Sequence, residues 1–224
     1  MPLFTALREN RFMLLFVFSL LVLLMQAVFF NAVLINIITT LLYLNALLTA
    51  LSANGARPRL RYTLIALWGS SAILKLAAPP EIEWQCLLLA KILSCVLLSI
   101  LVFNIMRYVM FSRSVESDTL FAAVVAYILL ALMFGQMYSA IALAIPDSFS
   151  IAQALLADNP LATDLDYFYF SFVTIATLGY GDISPTHPLT QVLASIEAVI
   201  GQFYVAIIVA WLVSVYVAHH QDQK

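Results

Sequence analysis

Charge is scarce in this chain. Its 224 residues include 10 Lys and Arg and 12 Asp and Glu, for a formal net charge of −2. A soluble domain carries about 25% charged residues; here the figure is 10%. No basic run is present, so nucleic acid finds no docking face and is not expected as a partner. Cysteine is as sparse. Cys86 and Cys95 are the two, and nine residues of helix hold them roughly 13 Å apart, too far for a disulfide. They read as small buried hydrophobes. Also missing are a Ser-His-Asp set, a metal-ligand cluster and a phosphate loop. An enzyme is therefore a poor reading, and no cofactor is expected.

Long apolar runs are what the chain has instead. Hydrophobic residues make up 64% of it, and mean hydropathy is +1.01. These values describe an integral membrane protein. A spanning helix needs about 20 apolar residues. Residues 12–53 suit two such helices, with a tight turn between Met25 and Asn31. Gly55 and Pro58 break the next loop. A third helix is expected over 62–78, stopped by Pro79 and Pro80, and a fourth over 84–110. A polar link with Arg113, Glu116 and Asp118 leads to a fifth over 119–145, stopped by Pro146. Arg8 and Arg11 ahead of Phe12 mimic a secretory signal. Met25, Phe29 and Phe30 then stand where cleavage needs small residues, so an uncleaved helix is expected.

Residues 147–163 are too polar to span. A short helix is expected over 164–176, with Thr163 as N-cap. Asp164 and Asp166 fall in its first turn, where the helix dipole favours acids. It would be only about 18 Å long. It must enter the membrane and stop, its partly negative C-terminal end facing the loop that follows. A sixth spanning helix begins at Pro188, a residue suited to the first helical position, and runs to 217. The expected fold is an all-α integral membrane protein with six transmembrane helices. A re-entrant helix and loop lie between helices five and six. Residues 1–113 would form a peripheral four-helix part and 114–224 the remainder.

Orientation follows from charge. With a cytoplasmic N-terminus, Arg8, Arg11, Arg57, Arg59, Arg61, Arg107, Arg113 and Lys224 all lie inside, as the positive-inside rule requires. Glu81, Glu83, Asp147, Asp158, Asp164, Asp166 and Asp182 lie outside. Six crossings return the C-terminus to the cytoplasm. The acids then ring an outer mouth and raise the local cation concentration there, although topology alone also produces charge-poor outer loops.

The run Thr177-Leu178-Gly179-Tyr180-Gly181-Asp182 carries the function. A dehydrated cation needs oxygens on all sides, and backbone carbonyls supply them when several loops face one axis. Pointing successive carbonyls the same way requires alternating left- and right-handed backbone, which Gly179 and Gly181 permit. Thr177 can add a hydroxyl ring at the inner end. The stretch YFSFVTIATLGYGDISP, from Tyr169 to Pro185, resembles the pore loop and signature filter of potassium channels. Leu178 stands where valine is more usual. The resemblance implies that Tyr180, between the glycines, favours potassium over a general cation pore.

The resemblance holds at motif level over about 164–217; elsewhere it is only in helix count. It implies a homotetramer, because one loop per chain cannot enclose an axis. It makes the carbonyls of Thr177, Leu178, Gly179 and Tyr180 the ligands of K+, the permeant ion. Gly181, Asp182, Tyr169 and Thr174 become filter support. The Tyr180 side chain is expected to turn away and pack on the pore helix, with Tyr167, Phe168, Tyr169 and Phe170 as an aromatic cuff. The same four rings also suit ordinary packing at the membrane interface. Relatives often carry tryptophans at Tyr169 and Phe170. Phe170 cannot donate to Tyr180, whereas Tyr169 can bond Asp182.

Three residues of the sixth helix stand out. Gly201 is a gating hinge by resemblance, or else a close helix contact; glycine inside a helix costs roughly 1 kcal/mol against alanine. Gln202 is expected to face the cavity. Glu197 lies about 13 Å into the helix, where ionisable groups are costly. It would point toward the pore helix near Thr174. There it either braces the filter, with protonation altering conduction, or is a satisfied structural carboxyl.

The fourth helix lacks the arginine ladder of voltage-gated relatives. It has Lys91 and Arg107, and Lys75 lies in the third helix. Both lysines are expected to snorkel outward, and voltage dependence is expected to be weak or absent. Asn31, Asn36 and Asn45 could line a ligand pocket, though helix–helix hydrogen bonding fits them better. His219 and His220 can titrate near neutral pH but sit at a frayed end. No regulatory nucleotide-binding or cation-sensing domain is expected after the sixth helix; lipid, stretch, pH or a separate subunit all remain as openers. The membrane expected is a bacterial cytoplasmic one. Two rival readings are a potassium-uptake subunit, which would show several degenerate pore loops, and a sensor whose pore does not conduct.

Overall fold

The computed structural model describes residues 11–28, 32–53, 58–76, 83–112, 117–152 and 164–221. In chain order these form α1 (Arg11–Val28), α2 (Ala32–Ala53), α3 (Pro58–Leu76), α4 (Glu83–Met110), α5 (Ser117–Ala144), β1 (Phe149–Ile151), α6 (Asp164–Ile175), β2 (Ile183–Pro185) and α7 (Pro188–Gln221). Among the described residues, three helices are long and apolar enough to cross a membrane: α4, α5, and α7 as far as Val215. The protein is a membrane protein built mainly of helices. The turn expected between Met25 and Asn31 falls at 29–31, outside the described residues, as do Gly55, Pro79, Pro80, Arg113, Glu116 and Thr163. The side chains of Asn31, Asn36, His219 and His220 lie outside them too. Helix α3 starts four residues earlier than expected, because Pro58 suits the first helical position.

The fold is not purely α. Strands β1 and β2 pair antiparallel, with Phe149 opposite Pro185, Ser150 opposite Ser184 and Ile151 opposite Ile183. Backbone groups beside the loop have no helix to satisfy them, and a short ladder is the remaining way to do so.

The chain packs as two units. The first comprises Met1–Trp68, Leu97–Leu129 and Ala206–Lys224; the second comprises Gly69–Val96 and Leu130–Val205. Helices α3, α4, α5 and α7 each contribute to both. In the first unit the Phe12 N–H, an orphan donor in the first turn of α1, donates to Asp118 Oδ1 at 2.8 Å. The Arg11 guanidinium stands 3.7 Å from Asp118 Oδ2 and 5.3 Å from the Tyr108 ring centroid. The Trp68 indole N–H donates to the Thr40 carbonyl at 3.1 Å. Asn45 accepts from Thr49 at 3.4 Å, a bond within its own helix.

In the second unit α5 is the buried helix, with Ala131, Leu132, Phe134, Gln136 and Tyr138 inside. Cys86 and Cys95 are unoxidised thiols and half-buried, not fully buried as expected. The Cys95 thiol reaches the Met133 carbonyl at 3.9 Å.

Candidate pore loop and its support

Helix α6 has 12 residues, about 18 Å, too short to cross a membrane. Its first turn holds Asp164 and Asp166, as the sequence predicts. The Lys91 ammonium donates to Asp164 Oδ1 at 2.5 Å and to Ser139 Oγ at 2.8 Å. Ser139 in turn donates to Asp164 Oδ1 at 2.5 Å. Lys91 is only 7% exposed, so the snorkelling expected of it does not occur. An ammonium at this depth is costly unless paired, and the start of α6 supplies the carboxylate. Burial pushes the Asp164 carboxyl up. The Lys91 charge and the bonds from Lys91 and Ser139 outweigh that, and hold it below its ordinary range.

At its other end α6 stops in a Schellman motif. The Leu178 N–H donates to the Val173 carbonyl and the Thr177 N–H to the Thr174 carbonyl, both at 2.9 Å. Thr177 takes the left-handed position, with φ of 56°, where glycine is usual. Two of the last carbonyls are thereby spent inside the helix, so its C-terminal charge is less available than expected. Left-handed residues then alternate: Thr177, Gly179 at 59° and Gly181 at 78°. A threonine in this region is a steric outlier, and the sequence pointed only to the glycines. A Cβ built on Gly179 or Gly181 meets nothing within 4 Å, so both are needed for conformation and not for space. The Gln202 amide donates to Thr177 Oγ1 at 3.3 Å, which places it beside the start of the loop.

Behind α6 the reverse holds. A Cβ on Gly201 would collide with the Ile175 carbonyl oxygen, and one on Gly135 with the Phe168 ring and its Cα. Close contact accounts for Gly201, and a bend is not required to explain it. Gly135 was not singled out by the sequence. Glu197 is fully buried. The Tyr138 hydroxyl donates to its Oε2 at 2.6 Å, and the Ser171 hydroxyl meets its Oε1. Ser171 also reaches the Ala131 carbonyl at 2.7 Å. Glu197 thus faces α6 as expected, but at Ser171, not at Thr174 one turn on.

The aromatic cuff divides by face. The Tyr169 hydroxyl donates to Asp182 Oδ2 at 2.5 Å, the bond expected of it. Tyr167, Phe168 and Phe170 are buried on other faces. Phe170 packs edge-on to Tyr138 at 5.1 Å and to Phe149 at 5.3 Å, and Tyr167 lies 5.2 Å from Phe149. Tyr180 is 66% exposed, so its own chain does not supply the packing expected for it. Those α6 faces are already occupied by Phe149 and Tyr138. Beyond the loop, the Ile183 N–H is bonded to Asp182 Oδ1 at 3.0 Å, and the Ala152 N–H donates to the Asp182 carbonyl at 2.9 Å. The His187 Nδ1 caps α7 by accepting from the Leu189 N–H at 3.2 Å.

Residues 126–218 match a family described as "Ion channel". The match runs from within α5, through α6 and the loop, into the last turns of α7. A stretch of 29 residues, 13% of the chain, is 62% identical to a protein of Plasmodium berghei (strain Anka) named "Potassium channel K2". It covers 2% of that protein's length. No solved structure matches the chain. The likeness to ion channels therefore falls on the elements that build and hold the loop.

Proposed function

We propose that the chain is one subunit of a homotetrameric, potassium-selective channel that conducts passively. The observation that carries this is the alternation of left-handed backbone at Thr177, Gly179 and Gly181. Such alternation suits carbonyls of Thr177, Leu178, Gly179 and Tyr180 that share one side, which ion sites stacked along an axis would require. The named relative is a potassium channel, which supports K+ as the permeant ion. Helix α7 supports assembly: its apolar span is 11% buried, against 67% for α5. Neighbouring copies would cover it and would also cover Tyr180.

Six crossings, with both termini in the cytoplasm, complete the arrangement. Helix α6 is then re-entrant, 114–224 forms the pore part and 1–113 the periphery. Gln202 lines the cavity, and the Tyr169–Asp182 bond, Gly181, Thr174 and Glu197 support the filter. The buried Lys91 pair and the lack of an arginine ladder favour weak voltage dependence. The test is flux from liposomes holding the purified protein, with potassium and sodium compared, alongside its mass in detergent. Potassium flux well above sodium flux, from a particle of four chains, is expected. Equal flux of both ions, or a monomer, would overturn the proposal.

A further inference from the structure

Three oxygen–oxygen contacts meet behind α6, and each needs a proton. Tyr138 Oη lies 2.6 Å from Glu197 Oε2. Ser171 Oγ meets Glu197 Oε1 and lies 2.7 Å from the Ala131 carbonyl oxygen. A carbonyl only accepts, and each hydroxyl has one proton to give. Tyr138 and Ser171 therefore supply two protons for three contacts. With an ionised carboxylate, one contact would press two lone-pair oxygens together. Tyr138, Ser171 and Glu197 are all 0% exposed, so solvent does not relieve that contact.

We infer that Glu197 is a neutral acid and that its proton positions the pore helix. The acid O–H donates to Ser171, Ser171 donates to the Ala131 carbonyl, and Tyr138 donates to the acid's carbonyl oxygen. One ordered chain then joins α5, α6 and α7. The third proton belongs on Glu197 because neither hydroxyl has another to give. Tyr138 is the titratable group that faces the acid from α5, and Ser171 is the polar group that faces it from α6. The charges at the start of α6, Asp164 with its partner Lys91, lie about two turns from Ser171. No cation is hydrogen-bonded to Glu197 among the described residues.

Removing the proton leaves a charge in a dry site and breaks one link of the chain. The end of α6 that leads into Thr177 is then released. Conduction should fall at alkaline pH. Glutamine reproduces the neutral acid: its amide N–H donates to Ser171 and its C=O accepts from Tyr138.

The proton assignment stands by itself; its effect on flux rests on the channel reading. Infrared spectra of the full-length protein should show a protonated-carboxyl C=O band at neutral pH that is missing in Glu197→Gln. Absence of that difference would overturn the assignment. In liposomes, wild-type potassium flux should drop by more than about tenfold on alkalinisation, the scale set by an unpaired buried charge. Glu197→Gln should keep wild-type flux at neutral pH and hold it across the range. A wild-type flux that stays flat while the band titrates would overturn the positioning role. Proteins that conduct at no pH would instead count against the channel, and the band would still decide the proton.

Discussion

Two pairs of glycines hold opposite sides of the same helix–loop unit, for opposite reasons. Gly179 and Gly181, in the loop, have open space around them and left-handed backbone. Gly135 and Gly201, behind α6, are buried within helices and have no room for a methyl group. One pair sells its side chain for conformation, the other for proximity. The loop side can relax outward when strained. The wall side meets backbone and cannot.

The sharpest way to break this contrast is Gly201→Ala. Its Cβ would meet the Ile175 carbonyl, and overpacking of this kind costs about 1–3 kcal/mol or more. The unfolding temperature in detergent should fall further than for any other substitution named here, and flux should be lost. Gly179→Ala should cost less stability, about 1–2 kcal/mol for a left-handed L-residue, while impairing potassium selectivity. D-alanine introduced by ligation at 179, whose φ of 59° suits a D-residue, should recover the stability that L-alanine loses there. A D-residue at 179 as damaging as the L-residue would end the distinction.

Removing Lys91 probes the far end of α6. Lys91→Met strips Asp164 of its bonded cation and leaves it the weaker influence of Lys75; breaking such a pair costs up to about 3 kcal/mol where one partner keeps some solvent. Lys91→Met with Asp164→Asn should recover part of the loss. The sign with pH follows from the depressed Asp164 carboxyl. Its contribution is complete above the ordinary carboxylate range and disappears as pH falls through its lowered folded value. Acid unfolding should therefore separate wild type from the double variant. The smallest effect is expected for Tyr169→Phe, about 1 kcal/mol for a single exposed hydrogen bond. A larger loss would move the weight of support from the wall to the mouth.

Much of the region from α6 to the start of α7 was legible in the sequence because it depends on local chemistry. Asp164 and Asp166 at a helix start, Pro188 at another, and glycines spaced by two each announce a backbone requirement. Tyr169 and Asp182 are close enough along the chain for their bond to be foreseen. What stayed hidden needs the relative rotation of separate helices. Glu197 reads as buried, but choosing Ser171 over Thr174 depends on how α6 is turned about its axis. Lys91 and Asp164 are 73 residues apart. Gly135 looks like any tolerated helical glycine until Phe168 is set against it. The β1–β2 pair leaves no alternating apolar signal in three-residue strands. The left-handed backbone of Thr177 went unforeseen for a different reason: it comes from ending α6, not from the residue's own preference.

The contact at Gly201 bears on where α7 can bend. A joint needs slack, and the Ile175 carbonyl resting on bare α7 backbone leaves none. Around Gly201, α7 and the C-terminal end of α6 are set as a single collar. A bend in α7 would meet less resistance away from that collar than at it.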